Sequence, residues 1–124
     1  MNSEFIVPPV PQNLRGASLS TTSIQIMWTH PAMVDDHKLE GYELKYRLDG
    51  DEKGKMFKEH IEPYQTQYLI DNLKPGKAYH ISLAGKTKFG VGVSAQLTET
   101  TKDESKPVQI CYVFIVENDY FNNN

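Results

Sequence analysis

The feature that most limits how this chain can fold is a period-two alternation of large apolar and charged residues, repeated along its length. It is clearest in Tyr42, Leu44 and Tyr46, which interleave with Glu43, Lys45 and Arg47. Side chains on an extended strand point alternately to opposite faces, so this segment offers one apolar face and one charged face. The same alternation occurs in Ile24, Ile26 and Trp28, in Tyr68 and Ile70 before Leu73, and in Tyr79, Ile81 and Leu83. Turn formers separate the runs: Asp49-Gly50, Lys74-Pro75-Gly76 and Phe89-Gly90-Val91-Gly92. Strands are therefore predicted at 13–18, 22–28, 41–47, 55–61, 66–71, 78–85 and 93–100. No window keeps the 3.6-residue spacing of an amphipathic helix, so no helix is expected. Seven short strands with turns at this interval indicate an all-β, seven-stranded antiparallel sandwich. Its expected core is Trp28 with Ile24, Ile26, Tyr42, Leu44, Tyr46, Ile70, Leu73, Tyr79, Ile81 and Leu83.

A chain of 124 residues is one domain by length and large enough to fold without staples. Three divisions are expected: an N-terminal extension at 1–7, the sandwich at 8–101, and a linker with an apolar, Asn-rich tail at 102–124. Pro8, Pro9 and Pro11 stiffen the approach to the first strand. In the tail, eight of the nine residues from Val108 to Val116 are apolar and none is charged. Such a strand must be buried, pair with a sheet edge or aggregate, and nine residues are too few to cross a bilayer. The tail is read as foreign to the sandwich, and direct membrane insertion is not expected. No signal peptide is visible at the N-terminus.

Several residue sets exclude chemistry. Net charge is −3, from 13 Lys and Arg against 16 Asp and Glu, which argues against a nucleic-acid partner. The single cysteine, Cys111, permits neither an internal disulfide nor a cysteine zinc site. Gly90-Val91-Gly92-Val93-Ser94-Ala95 has the form of a dinucleotide fingerprint, yet the residues after it favour a strand over the helix that motif needs. His30, His37, His60 and His80 lack metal-site spacing, and Asp35-Asp36-His37 offers too few fixed ligands for a cation. There is no nucleophile elbow and no paired acid and base. No enzyme activity, cofactor or metal is expected.

Five motifs in order resemble those of a fibronectin type III domain over about Pro8 to Thr101. They are Pro11 with Leu14; Trp28 followed by Pro31; Gly41-Tyr42-Glu43-Leu44-Lys45-Tyr46-Arg47; Leu73-Lys74-Pro75-Gly76-Lys77-Ala78-Tyr79; and Gly90 and Gly92 with the closing Thr100-Thr101. One departure is Gly85, where the family usually has Ala. The resemblance implies an immunoglobulin-like, two-sheet sandwich in which Trp28, Tyr42, Leu73, Pro75 and Tyr79 are structural, Tyr79 capping upstream backbone carbonyls. It implies a non-catalytic protein-interaction module, one domain of a cell-surface receptor or adhesion protein, with neighbouring domains of the same type in the parent. A cytoplasmic spacer module of a giant muscle-type protein is the alternative. The family topology gathers loops 29–40, 62–66 and 86–93 at one end. Asp35, Asp36, His37, Tyr64, Lys86, Lys88 and Phe89 are the candidate partner-binding residues there, since apolar loop residues have no place in the core pattern. Lys74 and Lys77 belong to the opposite end, so the lysines form no single anion-binding stripe. No Arg-Gly-Asp adhesive sequence occurs.

Overall fold

The computed structural model describes residues 8, 10–32, 38–51 and 53–103. Seven strands account for them: β1 (Gln12–Ser18), β2 (Ile24–Thr29), β3 (Gly41–Leu48), β4 (Phe57–Ile61), β5 (Gln67–Ile70), β6 (Ala78–Thr87) and β7 (Gly90–Thr100). They form two antiparallel sheets, a three-stranded β1-β2-β5 and a four-stranded β4-β3-β6-β7. The described residues contain no helix. The predicted linker and tail from Glu104 onward, the extension at 1–7 and the Asp35–His37 segment lie outside the described residues.

The alternating residues meet between the sheets. Ile24, Ile26 and Trp28 of β2 face Tyr42, Leu44 and Tyr46 of β3 and Ile81 and Leu83 of β6, and every one of them is buried. Trp28 is 2% exposed and packs edge-on against Tyr42, ring centroids 5.2 Å apart. Edge-to-face packing sets the positive rim of one ring against the negative face of the other. The indole N–H is buried and has no hydrogen-bond partner among the described residues. All eleven residues expected in the core are there, joined by one that was not, Ile61. β4 carries a single apolar residue at its end and a single aromatic at its start, too thin a pattern to reveal which residue goes inward.

The other difference lies in the β6–β7 hairpin. Gly90-Val91-Gly92 reads as a turn, but the turn is Lys88-Phe89 alone, and Gly90 already pairs with Thr87. Gly90 adopts a φ of +119°, a value that lets the strand begin immediately after a two-residue turn. Gly92 is needed for a different reason: a Cβ there would lie 2.9 Å from the Cβ of Pro8, so glycine lets the N-terminal segment lie against β7. Lys86 therefore sits on β6, opposite Gly41, rather than in a loop.

A hydrogen-bonded clasp closes the end of the sandwich that holds the β5–β6 turn. The Tyr79 phenol accepts the Lys74 N–H at 2.9 Å, so it caps an amide donor and not the carbonyls expected of it. Thr101 Oγ1 donates to the Lys74 carbonyl at 2.6 Å and accepts the Lys77 N–H at 3.0 Å. Gly76, at φ +62°, turns the chain between these anchors and donates its N–H to the Lys102 carbonyl. Thr101 is 2% exposed, so its hydroxyl cannot exchange these partners for water.

Trp28→Ala is expected to cost about 3–5 kcal/mol, most of the stability of a domain this size, read from the urea midpoint. Tyr79→Phe and Thr101→Val each leave a partly buried backbone group of Lys74 or Lys77 without its partner and are expected to cost about 1–3 kcal/mol. The sandwich's own hydrogen bonds run to Lys102 among the described residues. Deleting residues 106–124 is therefore expected to leave the unfolding midpoint unchanged and to raise solubility. Unfolding on deletion would make the tail part of the sandwich.

Candidate partner-binding end

Strand direction decides which turns share an end. The C-termini of β2, β4 and β6 and the N-termini of β3, β5 and β7 converge, bringing together the β2–β3 connection, the β4–β5 turn and the β6–β7 turn. Backbone hydrogen bonds hold them. Trp28 N–H donates to the Thr66 carbonyl at 3.0 Å, and Glu40 N–H donates to the Lys86 carbonyl at 2.7 Å. Within the β4–β5 turn, Gln65 N–H bonds the Glu62 carbonyl at 3.1 Å. The end is tied to the core by His30, whose Nδ1 lies 2.8 Å from the Tyr42 hydroxyl while the two rings stack at 6.4 Å.

Tyr64 tops the β4–β5 turn and is 76% exposed. Phe89, 48% exposed, tops the β6–β7 turn, with the Lys88 ammonium 5.4 Å from its ring centroid. Thr87 Oγ1 accepts the Phe89 N–H at 3.1 Å, which fixes the turn that presents the ring. In the four-stranded sheet β3 lies between the strands leading to these turns. The two rings are therefore separated by two to three strand widths, about 10–15 Å. Val91 and Val93 on β7 extend the apolar surface away from Phe89, at 47% and 60% exposure.

Of the seven residues singled out by the sequence, the structure puts Tyr64, Lys88 and Phe89 on this end as exposed turn residues. Lys86 is half-buried on β6 and lines a small recess with Glu43, Lys58 and His60 on the outer face of the four-stranded sheet. Asp35, Asp36 and His37 lie outside the described residues. Among the described residues no group of His, Cys, Asp and Glu could hold a metal ion. No described helix is long and apolar enough to cross a membrane.

The groups that titrate abnormally are phenols of the sandwich interior. Burial pushes Tyr42 above its ordinary value of 10.0, the Trp28 indole partly offsetting this. Tyr46 is raised by burial first, then by the Glu59 carboxylate and by Tyr68, Asp71 and Tyr79. Tyr68 is raised by burial, then by Glu59 and Asp71.

The fibronectin type III domain model matches residues 9–110, and the chain belongs to that family. Contactin-4 of Rattus norvegicus is 30% identical over 99 residues, which cover 80% of this chain and 10% of that protein. Receptor-type tyrosine-protein phosphatase F of Mus musculus is 33% identical over 101 residues, covering 82% of this chain and 5% of that protein. The chain thus spans a tenth or less of the relatives it matches. Among solved structures, the FN3 domain of human collagen XX superposes with a TM-score of 0.66 at 22% identity, covering 82% of this chain and 100% of that one. The FN5 domain of Drosophila Lar gives 0.63 at 26% identity, covering 77% and 98%. The relatives are adhesion and receptor proteins, and the domain they share with this chain is a non-catalytic module.

A phenol whose folded pKa is raised holds its proton longer in the native state than in the unfolded chain. Its contribution is complete below the unfolded pKa near 10.0 and is lost as pH rises through the folded value. Unfolding free energy is therefore expected to be flat from pH 7 to 9 with respect to these groups and to fall above pH 10.0. Urea titrations at stepped pH, with phenolate absorbance followed in parallel, check this.

Proposed function

We propose that this domain is a protein-interaction module of a cell-surface receptor or adhesion protein, and that it binds a protein partner through the end that carries Tyr64 and Phe89. The observation that carries the reading is the pair of exposed aromatic rings on neighbouring turns, outside the core and flanked by Lys88. Aromatic residues supply large contact area at small entropic cost, and interface cores are enriched in them. A separation of about 10–15 Å between the rings suits one partner patch of standard size. Lys86, half-buried on β6, borders this end and adds a second cation beside Lys88. Kinship with receptor and adhesion proteins supports the extracellular or cell-surface setting and neighbours of the same fold in the parent chain.

The paired substitution Tyr64→Ser with Phe89→Ser is expected to abolish capture of the physiological partner by the parent ectodomain. Both side chains are exposed, so thermal stability is expected to stay nearly unchanged. The control pair, Leu19→Ser with Lys77→Ser, lies at the other end and is expected to leave capture intact. Equal loss from the control pair would contradict the assignment of the binding end.

A further inference from the structure

The two sheets are unequal, and that inequality exposes part of the inner face. β4 and β5 are the free edges on one side of the sandwich. Along β4, Phe57, Glu59 and Ile61 pair with Tyr46, Leu44 and Tyr42, all inward-facing, so Glu59 points to the inner side of its sheet. Across the gap, Tyr68 of β5 pairs with the buried Ile26 and also faces inward. Between the edges a cleft of about 570 Å³ opens, with Tyr46, Phe57, Glu59 and Asp71 among its lining residues.

Its floor is aromatic. Tyr46 and Phe57 stack at 5.1 Å with 15° between their planes. Its walls are acidic, with Glu59 on β4 and Asp71 just beyond β5. Neither carboxylate has an ion-pair partner among the described residues, although Lys55 and Lys74 line the same cleft. Lys55 instead holds its ammonium 5.0 Å from the Phe57 centroid. A cation of the chain itself thus already rests on the ring, while neither carboxylate beside it is neutralised: Asp71 accepts only a long 3.5 Å bond from the Asn72 amide. Glu59 and Asp71 line the cleft together with Tyr46, and both carboxylates raise the pKa of its phenol after burial does.

We propose that this cleft docks an arginine side chain from a basic segment of a partner protein, its guanidinium replacing Lys55 on the Phe57 ring and bonding Glu59 and Asp71. Charge complementarity favours a cation, since an anion would face two carboxylates that no ion pair neutralises. A flat ring selects the planar guanidinium over an ammonium, because guanidinium stacks on an aromatic face and forks to carboxylates at once. The cleft is at the side and far end of the sandwich from Tyr64 and Phe89, so the inference stands or falls separately from the binding end described above.

The test is an amide chemical-shift titration of the intact chain with acetyl-Gly-Arg-Gly-amide, its citrulline counterpart and its lysine counterpart. Citrulline keeps the shape and removes the charge. Saturable shifts at Phe57, Glu59 and Asp71 are expected with the arginine peptide, with affinity at least about tenfold above the citrulline peptide and above the lysine peptide. The variant Glu59→Gln with Asp71→Asn is expected to weaken arginine binding about tenfold, and Lys55→Ala to strengthen it. Equal response to arginine and citrulline, no response to arginine, or shifts confined to residues 62–66 and 88–89 would overturn the proposal. The peptide comparison uses the unaltered chain, so it decides the matter even where a variant fails to fold.

Discussion

Packing of a three-stranded sheet on a four-stranded one through Trp28 is the constraint on which the other features depend. The indole fills the space between β2 and β3, and its edge-on contact with Tyr42 sets how close the two sheets approach there. From that contact, buried residues extend along β2, β3 and β6, the central strands, where both neighbours are present to exclude water. On the wider sheet β4 is an edge that the narrower sheet leaves partly uncovered. Its inner face is therefore half-finished: Ile61 reaches the core, whereas Phe57 and Glu59 look into an open cleft. An inward-pointing charge on an edge strand also discourages edge-to-edge pairing with another copy.

Two ends with different physical characters follow from the same frame. One is locked: Tyr79, Thr101 and the Lys74–Lys77 turn share buried hydrogen bonds that hold the end of β7 to the β5–β6 connection. The other presents side chains that the core does not claim, on turns whose backbones are fixed by Trp28–Thr66 and Glu40–Lys86 hydrogen bonds. Rigid elements with variable turns suit recognition, because the contact residues can change without disturbing the packing beneath them.

The core was legible in the sequence because half-buried strands write their burial directly as alternation, as in Tyr42, Leu44 and Tyr46. Three features were not, each for a physical reason. β4 reads as Phe57-Lys58-Glu59-His60-Ile61, in which one inward position is a carboxylate; alternation disappears where the opposite sheet ends. Thr101 looks like one more polar residue before a linker, and its burial depends on the turn at Lys74–Lys77, more than twenty residues away in sequence. The glycines after Phe89 signalled a turn of their own, but one serves the strand start and the other the close approach of Pro8. Exposed Tyr64 and Phe89 were found by a negative signal, apolar residues falling among turn formers with no strand to bury them.

The central claim is that one cooperative core carries the stability while the turns proposed for recognition lie outside it. Native-state amide hydrogen exchange tests this most directly, residue by residue. The account predicts that the amides of Ile26, Leu44, Ile81 and Leu83 exchange only by global unfolding, with an opening free energy equal to that from urea denaturation. It predicts that amides in 62–66 and 88–89 open at far lower free energy, independently of denaturant. Equal protection in those turns, or sub-global opening of β2, β3 and β6, would contradict it.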